Sequence, residues 1–224
     1  MSEDPPAARS GKFGPVLGVV DLGISNIGSV LRAFERLRCT PAIVQSPDDL
    51  MRARAIVLPG VGAFGDGMKA LKKMKLVEPI KAAARAGKPL LGFCLGMQLL
   101  ADSSEEYGRH EGLGLIPGQV VRLAPGPGDR VPNIGWCDVE ARPGARLFRD
   151  LPPLTAFYFV HSFHLRCTDP AHSAASIRFG SAPVTVAIEH GNIFGLQCHP
   201  EKSQDAGLSV LDAFLTLALG EHRQ

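Results

Sequence analysis

Pro89-Leu90-Leu91-Gly92-Phe93-Cys94-Leu95-Gly96-Met97-Gln98 reads as a short buried strand, a tight turn framed by two glycines and the first turn of a helix. A thiol at that corner stands at the tip of a strand, the cysteine counterpart of the Gly-x-Ser-x-Gly elbow that presents a nucleophile. Two advantages follow. The N-terminal N–H groups of the new helix favour thiolate over thiol, and the amide of Leu95 is placed to point at an oxyanion. A lone cysteine between glycines is also a common small core residue, so the reading depends on what the rest of the chain supplies.

Working outward, Val16-Leu17-Gly18-Val19-Val20-Asp21 is a continuous apolar run suited to a strand buried on both faces. Ile27, Val30, Leu31, Phe34 and Leu37 then recur at helical spacing, so a helix is expected from about Asn26. Ala42–Gln45 reads as a second strand, Pro47–Leu50 as the start of a brief helix, and Ala55–Leu58 as a third strand. Met68–Ala86 is helical in composition, with a break expected at Pro79. Strands alternating with helices at this interval imply a parallel sheet covered on both faces, with ligands at the carboxyl ends of its strands. Past about Glu105 the texture changes. Val120–Leu123, Trp136–Val139, Phe157–Val160, Val184–Ile188 and Ile193–Leu196 read as short strands of an antiparallel layer on the same core, closed by a helix over Leu208–Leu219. The expected fold is α/β: a three-layer, flavodoxin-like, mainly parallel sheet flanked by helices, with added antiparallel strands in the C-terminal half.

The chain has 224 residues, and no linker composition divides it. It is therefore expected to form one domain over 14–224 behind a disordered tail over 1–13. The tail lacks the apolar core of a secretion signal. A formal net charge of +2 gives no electrostatic case for nucleic acid or a membrane surface. Five cysteines at irregular spacing argue against a disulfide framework and for a reducing, cytoplasmic setting.

A cysteine nucleophile needs a base, and the base an orienting group. Among seven histidines the informative one lies in Gln197-Cys198-His199-Pro200-Glu201-Lys202. Pro200 keeps His199 out of the helical region. In an extended chain, residues two apart face the same way, so Glu201 would brace the imidazole. The expected triad is Cys94, His199 and Glu201, with Cys198 pointing to the opposite face. A second oxyanion donor is expected from the glycine-rich strand exit at Gly60, Val61 and Gly62. That exit, Gly60-Val61-Gly62-Ala63-Phe64-Gly65, also matches the dinucleotide fingerprint. The next strand, however, ends in Cys94 rather than in the acidic residue that would grip a ribose. His161-x2-His164-x2-Cys167 has no second ligand pair and lies in what reads as strand, so no metal site is expected. No cofactor is expected either.

Gly-Phe-Cys94-Leu-Gly-Met-Gln98 together with His199-Pro-Glu201 resembles the triad-type, class I glutamine amidotransferases. Pro59–Phe64, Pro132-Asn133-Ile134-Gly135-Trp136, Phe159-Val160-His161-Ser162-Phe163 and His199–Ser203 are similar to the glutaminase subunits of imidazole glycerol phosphate synthases, from about Val16 onward. The resemblance implies that Cys94 attacks the side-chain amide of L-glutamine. Gln98, Ser162 and Phe163 would hold the substrate's backbone groups. Ammonia would pass to a separate (β/α)8-barrel cyclase, bound as a heterodimer through Trp136, Tyr158 and Lys202. Trp136 is read as an exposed anchor in a glycine-rich loop. Activity would be low until the cyclase binds its ligand, with the Gly60–Gly62 amides misaimed in the free chain. Two alternatives stand beside this reading: a subunit feeding another acceptor enzyme, and a silent binding subunit. The chain departs from the family pattern at Leu22 and Ser25 (usually Tyr and Gly), Cys137 (usually Asn) and Cys198 (often Phe).

Overall fold

A computed structural model of the chain describes residues 17–23 and 26–220; the expected N-terminal tail and Ser25 lie outside them. The first half runs β1 (Leu17–Val20), α1 (Ile27–Arg36), β2 (Pro41–Val44), α2 (Pro47–Arg52), β3 (Ala55–Gly60), α3 (Phe64–Lys73), α4 (Val77–Arg85), β4 (Leu90–Cys94) and α5 (Leu95–Leu99). The four strands pair in parallel in the order β2-β1-β3-β4. Their apolar runs are sorted by the pleat. Leu17, Val19, Val57, Leu91 and Phe93 join Phe34 of α1 on one face. Val20, Ile56, Leu58 and Leu90 join Leu50 of α2, Leu71 of α3, Ile80 of α4 and Met97 of α5 on the other. Each such side chain contributes about 1.5–3 kcal/mol when fully buried. A strand clad on both faces therefore tolerates no alternation with polar residues.

The second half adds β5 (Ala101–Ser104), β6 (His110–Glu111), β7 (Ile116–Arg122), β8 (Asn133–Ala141), β9 (Thr155–His161), β10 (Phe163–Cys167), β11 (Ser173–Phe179), β12 (Ala182–His190), β13 (Ile193–Leu196) and α6 (Gln204–Leu219). These strands do not form one antiparallel layer. β13 pairs in parallel with β4, and β12, β11, β8 and β9 continue the same sheet antiparallel to nine strands. β10, β7, β5 and β6 form a separate four-stranded sheet in which β5 and β7 run parallel. Val210, Leu211 and Phe214 of α6 pack on the α1 face, completing three layers.

The helical stretch breaks before Pro79, not at it. The chain turns at 74–76, where Lys75 adopts φ 57°. Pro79 is the third residue of α4, a position whose N–H has no intrahelical acceptor and is not missed. The composition-based start at Met68 was also late, since α3 begins at Phe64. His161–Cys167 is not one strand: β9 ends at His161, the chain turns at Ser162, and β10 begins at Phe163. Trp136 lies within β8, as the strand reading of Trp136–Val139 has it, and not in a glycine-rich loop.

Candidate active site

Cys94 ends β4 with φ 48° and ψ −109° and is followed directly by α5, so the strand-to-helix corner is a strained single residue. Both glycines of the elbow are sterically required. A Cβ on Gly92 would meet the Gly96 carbonyl carbon at 2.6 Å, and one on Gly96 would collide with the Leu58 carbonyl oxygen of β3. Gly60, the last residue of β3, pairs in register with Cys94. Val61 and Gly62 follow and line one cavity with Cys94, Gly62 at φ 100° with open space where a Cβ would stand.

His199 reaches the thiol from the end of the neighbouring β13. Its N–H donates to the Tyr158 carbonyl at 3.0 Å, and its own carbonyl accepts from Ser203 Oγ at 2.7 Å. Ser203 Oγ in turn accepts from the Tyr158 N–H at 3.0 Å. With the main chain so pinned, imidazole Nδ1 lies 2.9 Å from Glu201 Oε1, and both side chains are about 95% buried. The expected contact is present, but an extended chain does not produce it. Pro200–Lys202 is a single 3₁₀ turn, and His199 alone is extended. The turn curls Glu201 back beneath the ring. Burial opposes a charge on His199, yet hydrogen bonds to Cys94 and Glu201 and their charges outweigh it, raising the imidazole to about 9. Cys198 is buried in the apolar cluster beneath α6. That burial, followed by the charges of Glu201 and Cys94, pushes its thiol well above the usual range.

A cavity of about 280 Å³ opens above the sulfur. Of the residues expected from sequence, Cys94, Leu95, Val61, Gly62, Gln98, Ser162, Phe163, His199 and Lys202 line it. Glu201 and Gly60 are not among the lining residues: Glu201 pairs with the imidazole, and Gly60 is the in-register partner of Cys94 on β3. Trp136 and Tyr158 lie on the adjacent surface, their rings 5.9 Å apart edge to face, with Lys202 Nζ 6.0 Å from the Tyr158 ring centre. Gln98 does not offer its NH2 to a ligand: Nε2 donates to the Phe163 carbonyl and to Gln197 Oε1, both at 3.0 Å. What remains for a ligand is the amide oxygen, an acceptor.

Four contributors were not among the expected site residues: Glu106 and Gln197 carry no spacing signal, while Asn133 and His161 stand in motifs quoted above without a role. Glu106 lines the cavity and accepts from the Phe64 N–H at 2.7 Å, capping α3 where Ala63 provides no side-chain cap. His161 also lines the cavity. Its Nδ1–H donates to the Phe163 carbonyl at 2.9 Å, and its Nε2 accepts from Asn133 at 3.1 Å. Burial is the main reason the ring is lowered to about 4, so it is a neutral brace for the Ser162–Phe163 turn. Asn133 also approaches the Cys137 thiol at 3.7 Å. Gln197 is fully buried, with Nε2 3.7 Å from Cys94 Sγ.

A cysteine at a strand-to-helix elbow, with a carboxylate-braced imidazole just past the adjacent strand's end, is an arrangement suited to acyl transfer. The family model "Glutamine amidotransferase class-I" matches residues 18–217. The chain belongs to the class I glutamine amidotransferases. Curated relatives of this amidotransferase include the imidazole glycerol phosphate synthase subunit HisH 1 of Legionella pneumophila (strain Lens), 39% identical over 90% of this chain and 99% of the relative. The subunit HisH of Nostoc punctiforme is 44% identical over 90% of this chain and 95% of the relative. Among solved structures, a glutamine amidotransferase crystal structure superposes with a TM-score of 0.72 at 22% identity, covering 91% of this chain and 98% of that one. PurLQS from Thermotoga maritima gives 0.71 at 22% identity, covering 92% and 99%. At that identity the likeness is one of amidotransferase fold.

Proposed function

We propose that this amidotransferase is the glutaminase subunit of an imidazole glycerol phosphate synthase, with Cys94, His199 and Glu201 as its catalytic triad. The observation that carries the chemistry is the buried Glu201–His199 pair beside Cys94 at the floor of an open cavity. The names of relatives at about 40% identity support the choice of acceptor enzyme.

In this reading the Cys94 thiolate adds to the side-chain carbonyl carbon of glutamine, and negative charge collects on the carbonyl oxygen. The Leu95 N–H and one N–H from Val61 or Gly62 receive that oxyanion. The imidazolium of His199 gives its proton to the departing nitrogen, ammonia leaves, and a thioester remains. His199, now neutral, takes a proton from water as it attacks the thioester, releasing glutamate and restoring the thiolate–imidazolium pair. The Gln98 amide oxygen and the Ser162–Phe163 turn hold the substrate's α-substituents. Ammonia then passes to a cyclase bound over Trp136, Tyr158 and Lys202. The partner uses it to make imidazole glycerol phosphate and aminoimidazole carboxamide ribotide.

The purified chain, mixed with the cyclase and its ribotide ligand, is expected to release glutamate from glutamine. No release under those conditions overturns the reading. Release that is indifferent to this cyclase redirects the subunit to another acceptor. Cys94→Ala is expected to lower glutamine-dependent synthesis by about three orders of magnitude or more and to leave ammonia-dependent synthesis intact.

A further inference from the structure

The buried amide of Gln197 serves no part of the mechanism above, yet it touches the reacting atom. Its main chain is fixed by a hydrogen bond from its N–H to the Val186 carbonyl of β12 at 2.8 Å. Its side chain has two polar contacts: Oε1 accepts from Gln98 Nε2 at 3.0 Å, and Nε2 faces Cys94 Sγ at 3.7 Å. Which end faces the sulfur is settled at the far end of the chain of bonds. The Phe163 carbonyl can only accept. Gln98 reaches it at 3.0 Å, so Gln98 must present its NH2 there, and that group's second proton is aimed at Gln197. The Gln197 atom that receives it must be oxygen. An N–H is therefore left to face the thiol. The Phe163 carbonyl is itself held by His161 Nδ1–H, and the His161 ring is held in turn by Asn133 at its Nε2.

We propose that Gln197 is a catalytic residue, an amide donor to the Cys94 sulfur that stabilises the thiolate before attack and again as it leaves the thioester. Hydrogen bonds to an ionised acceptor are stronger than those to a neutral one, so a fixed donor selects thiolate over thiol. Its role differs from that of His199. The imidazolium gives up its proton to ammonia, whereas the amide keeps its own throughout. One donor thus remains on the sulfur at the stage when His199 is neutral. Without Gln98 to orient it, the Gln197 amide could turn its oxygen to the sulfur and repel the same charge.

The inference rests on Cys94 being the nucleophile, and its test needs no glutamine. Alkylation of Cys94 by iodoacetamide is followed by peptide mass from pH 6 to 9 in the wild type and in Gln197→Met, which keeps the length and removes the amide. At neutral pH the variant is expected to react about three- to tenfold more slowly. Its glutaminase kcat should fall alongside, with KM for glutamine less affected. An unchanged alkylation rate in a variant that melts like the wild type overturns the proposal. A raised KM with alkylation untouched does the same, since Gln197 would then only hold Gln98 in place. If Gln197→Met does not fold, the wild type answers by NMR. One of the two Gln197 side-chain amide protons is expected to move over the pH range in which Cys94 becomes reactive, and if neither moves the proposal fails. Loss of glutaminase activity in the wild type would sink the functional reading while leaving the alkylation result to stand.

Discussion

His199 and His161 share one cavity and are pulled in opposite directions. The imidazole of His199 is raised from an ordinary 6.5 to about 9, so the folded state binds a proton there that the unfolded chain gives up. Its contribution to stability is complete below about pH 6.5 and is lost as pH rises through 9, with a slope of at most about 1.4 kcal/mol per pH unit. His161 is lowered to about 4. Its contribution is complete above about pH 6.5 and is lost as pH falls toward 4. Urea unfolding of the wild type is therefore expected to show the combined contribution of the two rings greatest near pH 6.5. Glu201→Gln should flatten the alkaline limb by weakening the partner of Nδ1, and a limb unchanged by that variant would contradict the pairing. The identities of this pair were legible in His199-Pro200-Glu201, but the route to their contact was not. A proline that excludes the helical region at His199 says nothing about the residues after it, and those form a turn. Gln197 and Glu106 were invisible for a different reason. Amides and carboxylates acquire roles from partners far along the chain, 99 residues away for Gln197 and Gln98 and 42 for Glu106 and Phe64.

Among the elements, the elbow is the least tolerant. Gly96→Ala would drive a methyl group into the β3 backbone and is expected to cost about 3 kcal/mol or more, read by denaturant melting together with loss of activity. Pro79→Ala, in the first turn of α4, is expected to change stability by under about 1 kcal/mol. That contrast inverts what each residue suggests in isolation, where proline reads as the helix breaker and glycine as the permissive site. Periodicity located β1, β3, β4 and α1 because strands and helices buried on known faces leave strong apolar patterns. It did not locate β11: Ser173-Ala174-Ala175-Ser176 carries no β-branched run, and the strand exists because β12 beside it needs a partner. The pairing of β13 with β4 is likewise a tertiary choice that no local pattern encodes.

For the whole molecule, the strand order gathers chemistry at one rim. Exposed apolar side chains continue that rim outward. Ile134 and Trp136 alternate on the outer face of β8, and Val160 of β9 pairs with Ile134. Trp136 is 49% exposed, so Trp136→Ala is expected to leave the melting temperature near that of the wild type. In the proposed heterodimer it should weaken cyclase association about tenfold or more, measured by titration calorimetry. Equal affinity would place the partner elsewhere. The insertion of β13 between β4 and β12 has a consequence for biosynthesis of the chain itself. During translation the elbow strand emerges roughly a hundred residues before β13, and until then the edge of β4 away from β3 is bare and His199 is not yet made. The stretch that carries β13 and His199 thus covers that edge and, in the proposed mechanism, supplies the base in one event, so a nascent chain that stops short of it is expected to be open to edge-to-edge aggregation.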